Sequence, residues 1–132
     1  MGQYYTVVNM DKKEKLDPTR FNDGLKLAEF GCSGGGTMAA LAVLLANSNG
    51  RGGGDFNGSH PRASEVVGRW AGDRIVIAGD YADNDCSGED ADTESNLYDD
   101  QSLNDISDFV YEVCQSSPHW IREDDGYSFR GD

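Results

Sequence analysis

The chain has 132 residues, 37% of them hydrophobic and 10% aromatic, with 11 Lys or Arg against 24 Asp or Glu and a formal charge of −13. That length suits one domain with one core, and the apolar share excludes a wholly disordered chain. The longest apolar run, Met38–Ala46, is far short of a membrane span.

Taken in chain order, Gln3–Asn9 (QYYTVVN) is β-branched and aromatic and reads as a strand. Its start, MGQYYTVVNMDKK, has no basic stretch followed by an apolar core, so no signal peptide is read there and a cytoplasmic location is expected. Lys13–Leu16 predicts a short second strand that Asp17-Pro18 stops. Leu25–Phe30 alternates apolar and polar residues and predicts a half-buried strand. Gly31–Gly36 breaks the chain. Thr37–Ala46 (TMAALAVLLA) is rich in helix formers and apolar on every side, which predicts a buried helix with Thr37 as its N-cap.

Ser48–Ser59 reads as loop, and Arg74–Ala78 (RIVIA) as the clearest internal strand. Ser102–Gln115 is the clearest helix. Ile106, Phe109, Val110, Val113 and Cys114 share one face, and Asp105 and Asp108 fall in the first turns, where the helix dipole favours negative charge. The expected fold class is α+β: a small single-domain sheet with one buried helix (Thr37–Ala46) and one amphipathic helix (Ser102–Gln115). The domain spans 1–122, followed by a polar, frayed tail over 123–132.

Charge is unevenly placed. Residues 1–68 hold seven Lys or Arg and seven Asp or Glu; residues 69–132 hold four and seventeen. Asp80–Asp108 contains eleven acids and no Lys or Arg. Such a block repels a nucleic-acid backbone. It fits a cation, a basic protein partner, or simply a solvated loop that aids solubility. A nucleic-acid-binding groove is one basic surface it would match. Cys32, Cys86 and Cys114 are far apart, with no C-x-x-C and no histidine nearby, so reduced thiols are expected rather than a disulfide framework or zinc site.

Three motifs offer chemistry. In Gly31–Thr37 (GCSGGGT), the N–H groups of Gly34, Gly35, Gly36 and Thr37 could converge on an anion at a helix start. Arg51 in the GRGGGD loop could add a bidentate contact. The string matches neither G-x-x-x-x-G-K-[ST] nor G-x-G-x-x-G and lacks the lysine that would reach a phosphate, so a tight turn of small residues is the plainer reading. The same residues fit G-x-S-x-G. Ser33 would then be a nucleophile, or Cys32 a low-pKa thiolate at the helix start, with His60 or His119 as base. The chain is short for a hydrolase sheet of the usual kind.

The third motif is Asp83–Glu94 (DNDCSGEDADTE). Asp83, Asp85, Ser87, the Glu89 carbonyl and Glu94 fall at the ligand positions of a twelve-residue calcium loop, with Gly88 at its sharp turn. Asp90 stands where such loops put an apolar residue, and the strand RIVIA replaces the entering helix. Calcium is the one cofactor suggested.

Several strings, among them MGQYYTVVNMDKKEKLDPTRFNDGLKLAEFG, GTMAALAVLLANSNGRGGGD and GRWAGDRIVIAGDYAD, resemble those of small uncharacterised bacterial and phage proteins. The likeness spans most of residues 1–115. It implies a small stand-alone protein of that type and assigns no activity and no functional residue. The reading is therefore a non-enzymatic binding or regulatory protein, with its acidic half docking a basic partner. A small enzyme built on Ser33 or Cys32 and a calcium-binding protein are the alternatives. No membrane association is expected, and the oligomeric state is open.

Overall fold

β-branched and aromatic residues make β1 (Tyr5–Asn9), and every residue after Tyr5 in it is buried. The computed structural model describes residues 3–32, 35–51, 55–82 and 97–117. β1 is the centre of a four-stranded mixed sheet in the order β3-β1-β2-β4. It pairs antiparallel with β2 (Glu14–Leu16) and with β3 (Ile75–Gly79), and β2 pairs parallel with β4 (Asn104–Asp105). Three of the four strands read from the sequence are therefore present. β4 is an addition, and the helices complete an α+β domain.

Because strand side chains alternate, the register gives the sheet two faces. Val7 lies opposite Leu16 and Ile77, and Val8 lies opposite Lys15 and Val76. On the first face, Val7 and Leu16 join Phe21, Phe30, Leu44, Trp70 and Val110 in the main core. Phe21, Phe30 and Trp70 are fully buried, each contributing about 2–3 kcal/mol by leaving water. On the second face, Val8, Ala78 and Leu103 form a small cluster beneath Leu97.

Leu25–Phe30 corrects the strand expected there: α1 (Leu27–Gly31) is a one-turn helix. Glu29 reaches back to accept the Lys26 N–H at 3.0 Å, which satisfies a donor that a strand would have spent on a neighbour. Six alternating residues could not separate the two periods. Leu27, taken as inward-facing, is 48% exposed.

α2 (Thr37–Leu45) forms where expected, but it is not buried all round. Thr37, Ala40, Leu41 and Leu44 face the core, while Ala42 and Leu45 face out. Its cap is Gly36 and not Thr37, which is the first helical residue. Its last carbonyls are satisfied from afar: Gly68 N donates to Val43 O at 3.0 Å and Trp70 N to Leu44 O at 2.9 Å. Gly68 has φ +76°, and a Cβ there would lie 2.7 Å from the Ala46 carbonyl oxygen. Only glycine lets the two segments approach this closely.

α3 (Ser107–Gln115) starts five residues later than its pattern suggested. Asp105 is not in its first turn. It ends β4, and its carboxylate accepts the Ser107 N–H at 2.9 Å. Ile106, Val110, Val113 and Cys114 are buried as the periodicity implied, with Phe109 packed beside them. Among the described residues, no helix is long and apolar enough to cross a membrane.

Candidate functional site

The glycine loop and the start of α2 were the first candidate. Ser33 and Gly34 lie outside the described residues; Gly35 has φ +76°, and Gly36 caps the helix. The helix start already holds an anion. The Asp23 carboxylate accepts from Thr37 N at 2.8 Å and from Thr37 Oγ1 at 2.7 Å. The chain's own Asp23 carboxylate thus occupies the helix start proposed for a ligand. Arg51 is exposed and donates its backbone N–H to Asp55 at 2.8 Å.

Of the nucleophile candidates, only Cys32 lies among the described residues. Cys32 is exposed and closes α1, so it does not open α2. His60 is pinned through both ring nitrogens: Nε2 lies 2.7 Å from Glu112 Oε2, and Nδ1 accepts the Arg62 N–H at 3.0 Å. That second bond fixes the proton on Nε2, facing Glu112. A base needs a free lone pair aimed at the nucleophile, and this ring has spent its own on backbone. His119 and Cys86 lie outside the described residues. Cys114 is buried, which pushes its thiol up to about 12 and leaves it inert.

The calcium ligands Asp83, Asp85, Ser87, Glu89 and Glu94 all fall outside the described residues. Among the described residues, no group of three His, Cys, Asp or Glu is placed to hold a metal.

The geometry brings together a different set. A cleft of about 550 Å³ opens where the end of α2 meets the loop at Phe56–Gly58 and the turns of residues 63–71. Its lining includes the small apolar residues Ala46, Ala63, Val67, Gly68 and Ala71. Its walls are Asn47, Ser48, Asn49, Asn57 and Ser64, with the Phe56 ring beside them. No lining residue is charged, in a chain of net charge −13. Asn49 shapes the wall by pairing with Phe56 twice: its Oδ1 accepts the Phe56 N–H at 2.8 Å and its Nδ2 donates to the Phe56 carbonyl at 3.1 Å. Asn47, Ser48, Asn57 and Ser64, all exposed, have no side-chain hydrogen bond to another described residue.

A smaller hollow of about 160 Å³ lies at Tyr98, among Thr6, Lys15, Asp17 and Thr19. There burial, followed by the Asp80, Asp17 and Asp99 carboxylates, holds the Tyr98 hydroxyl above its ordinary range. It therefore stays a protonated donor.

Sequence reasoning passed over the cleft residues. The available signal was two uncharged amide-rich stretches, Asn47–Gly50 and Asn57–Ser59, in a chain that is 27% charged. Nothing local says they meet. No family model, no curated protein and no solved structure matches this chain.

Proposed function

We propose that this protein is a non-enzymatic binding protein whose cleft takes a small, uncharged, polar ligand. The observation that carries this reading is the cleft's lining: small apolar residues beside amides and hydroxyls, of which Asn47, Ser48, Asn57 and Ser64 have no side-chain hydrogen bond to another described residue, with no charge among them. A volume of about 550 Å³ falls within the range of small-molecule sites, about 300–1,000 Å³. An amide offers a donor and an acceptor together, so carbonyl, amide and hydroxyl groups on a ligand can all be met. An ionised ligand would leave water with no counter-charge to receive it. The pinning of His60 supports binding over catalysis, because one of the two bases proposed for an enzyme is held away from that task.

The test is an NMR titration of the full chain with matched neutral, anionic and cationic fragments. The neutral members are expected to shift the amides of Asn47, Asn57 and Ser64, and Ser64→Trp to abolish those shifts with the melting temperature unchanged. If the charged members shift the same amides equally, or if no member does, the reading fails.

A second reading, favoured by the placement of charge, is docking of a basic partner by the acidic half. Five described cations are already in ion pairs: Lys12 with Asp73, Arg20 with Asp108, Arg62 with Glu65, Arg69 with Glu14 and Arg74 with Asp11. The surplus of acids remains, and on α3 Asp108 and Glu112 are 79% and 71% exposed. A Lys/Arg-rich peptide should bind, and lose affinity as salt shortens the Debye length to about 8 Å. Changing Asp90, Asp92 and Glu94 to Asn, Asn and Gln should weaken it further. Equal binding by that triple variant would leave only diffuse attraction.

A further inference from the structure

β3 is the outer strand of the sheet, with β1 on its inner side alone. In an antiparallel pair, alternate residues turn both backbone groups to the partner. Met10 N donates to Arg74 O and Asp80 N to Tyr4 O, each at 2.9 Å. Both bonds keep the register that sets Val8 opposite Val76 and Thr6 opposite Ala78. Residues 74, 76, 78 and 80 therefore face β1, and Ile75, Ile77 and Gly79 turn their N–H and C=O groups to the open edge. The Gly79 carbonyl accepts from Ala82 N at 3.1 Å. The N–H and C=O of Ile75 and Ile77, and the Gly79 N–H, have no partner among the described residues.

Protein edges are commonly guarded by lysine, proline or a bulge. Ile75–Gly79 (IVIAG) contains no lysine and no proline, and its five-residue register with β1 is unbroken. At its middle, Ile77 is 36% exposed. The two ends carry opposite charge. Arg74 is 67% exposed, using its Nε and Nη2 on Asp11 and leaving Nη1. Asp80, whose Oδ1 accepts the Tyr4 N–H, places a carboxylate at the other end.

We propose that the open edge of β3 pairs with the same edge of a second copy, antiparallel, about a two-fold axis at Ile77. That register sets Ile77 opposite Ile77, Ile75 opposite Gly79, and Arg74 opposite Asp80 at both ends. Sliding the strands by one step of the pleat in either direction keeps the outward groups aligned but sets Arg74 or Asp80 opposite an uncharged residue. The charge pattern thus selects one register and one occupant, this chain itself. Such a strand pair is isologous, the commonest form of self-association. It falls in the small-interface, weakly associating class.

Sedimentation of the full chain from about 10 µM to about 500 µM, which brackets weak association, tests this. The mass is expected to rise from 14.3 kDa toward twice that value. Ile77→Lys, with an unchanged melting temperature, should stay monomeric throughout. Asp80→Arg alone and Arg74→Asp alone should each stay monomeric, and an equal mixture of the two should associate, because it restores an opposite-charge pair at both ends. The Ile75 and Ile77 amides should exchange more slowly with solvent as concentration rises. A wild-type mass that never leaves the monomer overturns the proposal. So does association by Ile77→Lys, or by either single charge variant, at the wild-type level.

Discussion

The two edges of the sheet are built on opposite plans. The edge at β2 is sealed. Asn104 N donates to Lys13 O at 2.9 Å and Ile106 N to Lys15 O at 3.1 Å, so β4 runs along it and leads straight into α3. The Asp17 N–H is taken by the Ser107 hydroxyl at 2.7 Å. Within β2, Glu14 is 5% exposed, and three donors meet its carboxylate: Arg69 Nη2 at 2.6 Å, Trp70 Nε1 at 2.8 Å and Arg69 Nε at 3.1 Å. Among the described residues, the edge at β3 has no such cover. Stability is concentrated where polar groups are buried and fully matched, and the other edge is left able to recognise something.

The largest expected effect comes from breaking the sealed edge. Glu14→Ala leaves the Trp70 N–H and a partly buried guanidinium without their acceptor. Loss of one partner from such a pair costs about 2–4 kcal/mol, read as a lower denaturant midpoint in urea. A change under about 0.5 kcal/mol would show that Arg69 simply swings into water. Next comes Ser107→Ala, which removes the acceptor of a part-buried backbone N–H and should cost about 1–2 kcal/mol.

Acid should act on the same side. Burial alone would raise the Glu14 carboxyl, but the hydrogen bonds from Arg69 and Trp70 outweigh it and hold the group below its ordinary value. A folded pKa below the unfolded one means stability that is full above the unfolded value and lost as pH falls through the folded one. The denaturant midpoint should therefore hold at neutral pH and drop below about pH 4.5, and Glu14→Gln should flatten that drop. An equal drop in the variant would assign the acid sensitivity to Asp11, Asp73 and Asp100, whose carboxyls are also held low by their hydrogen bonds. The smallest effect belongs to the open edge. Ile77→Lys should change stability by no more than about 0.5 kcal/mol. A larger loss would mean that Ile77 is core and its edge is not free.

How far this contrast was legible in the sequence depends on the range of each signal. β1, β3, α2 and the body of α3 announce themselves through β-branched runs or a sustained 3.6-residue period, both local. β4 does not, since two residues carry no period, and so Asp105 was read as helix. The seal on Glu14 is invisible because its partners lie 55 and 56 positions away. The cleft fails to show for a similar reason: Asn47–Asn49 and Asn57 are joined through the Asn49–Phe56 bonds, and residues 63–71, which complete the lining, come from a separate stretch. The glycine loop misled in the other direction. Its local grammar is that of an anion site, and nothing within it points to Asp23.

That last contact has a competitive consequence. Asp23 is tethered fourteen positions from Thr37, so the start of α2 sees a carboxylate at an effective concentration in the millimolar range or above. A free phosphate must outbid a resident that never diffuses away. Releasing that resident, as Asp23→Ala would, turns an internal latch into a vacant seat, and the mutant protein would be the one to respond to added anions.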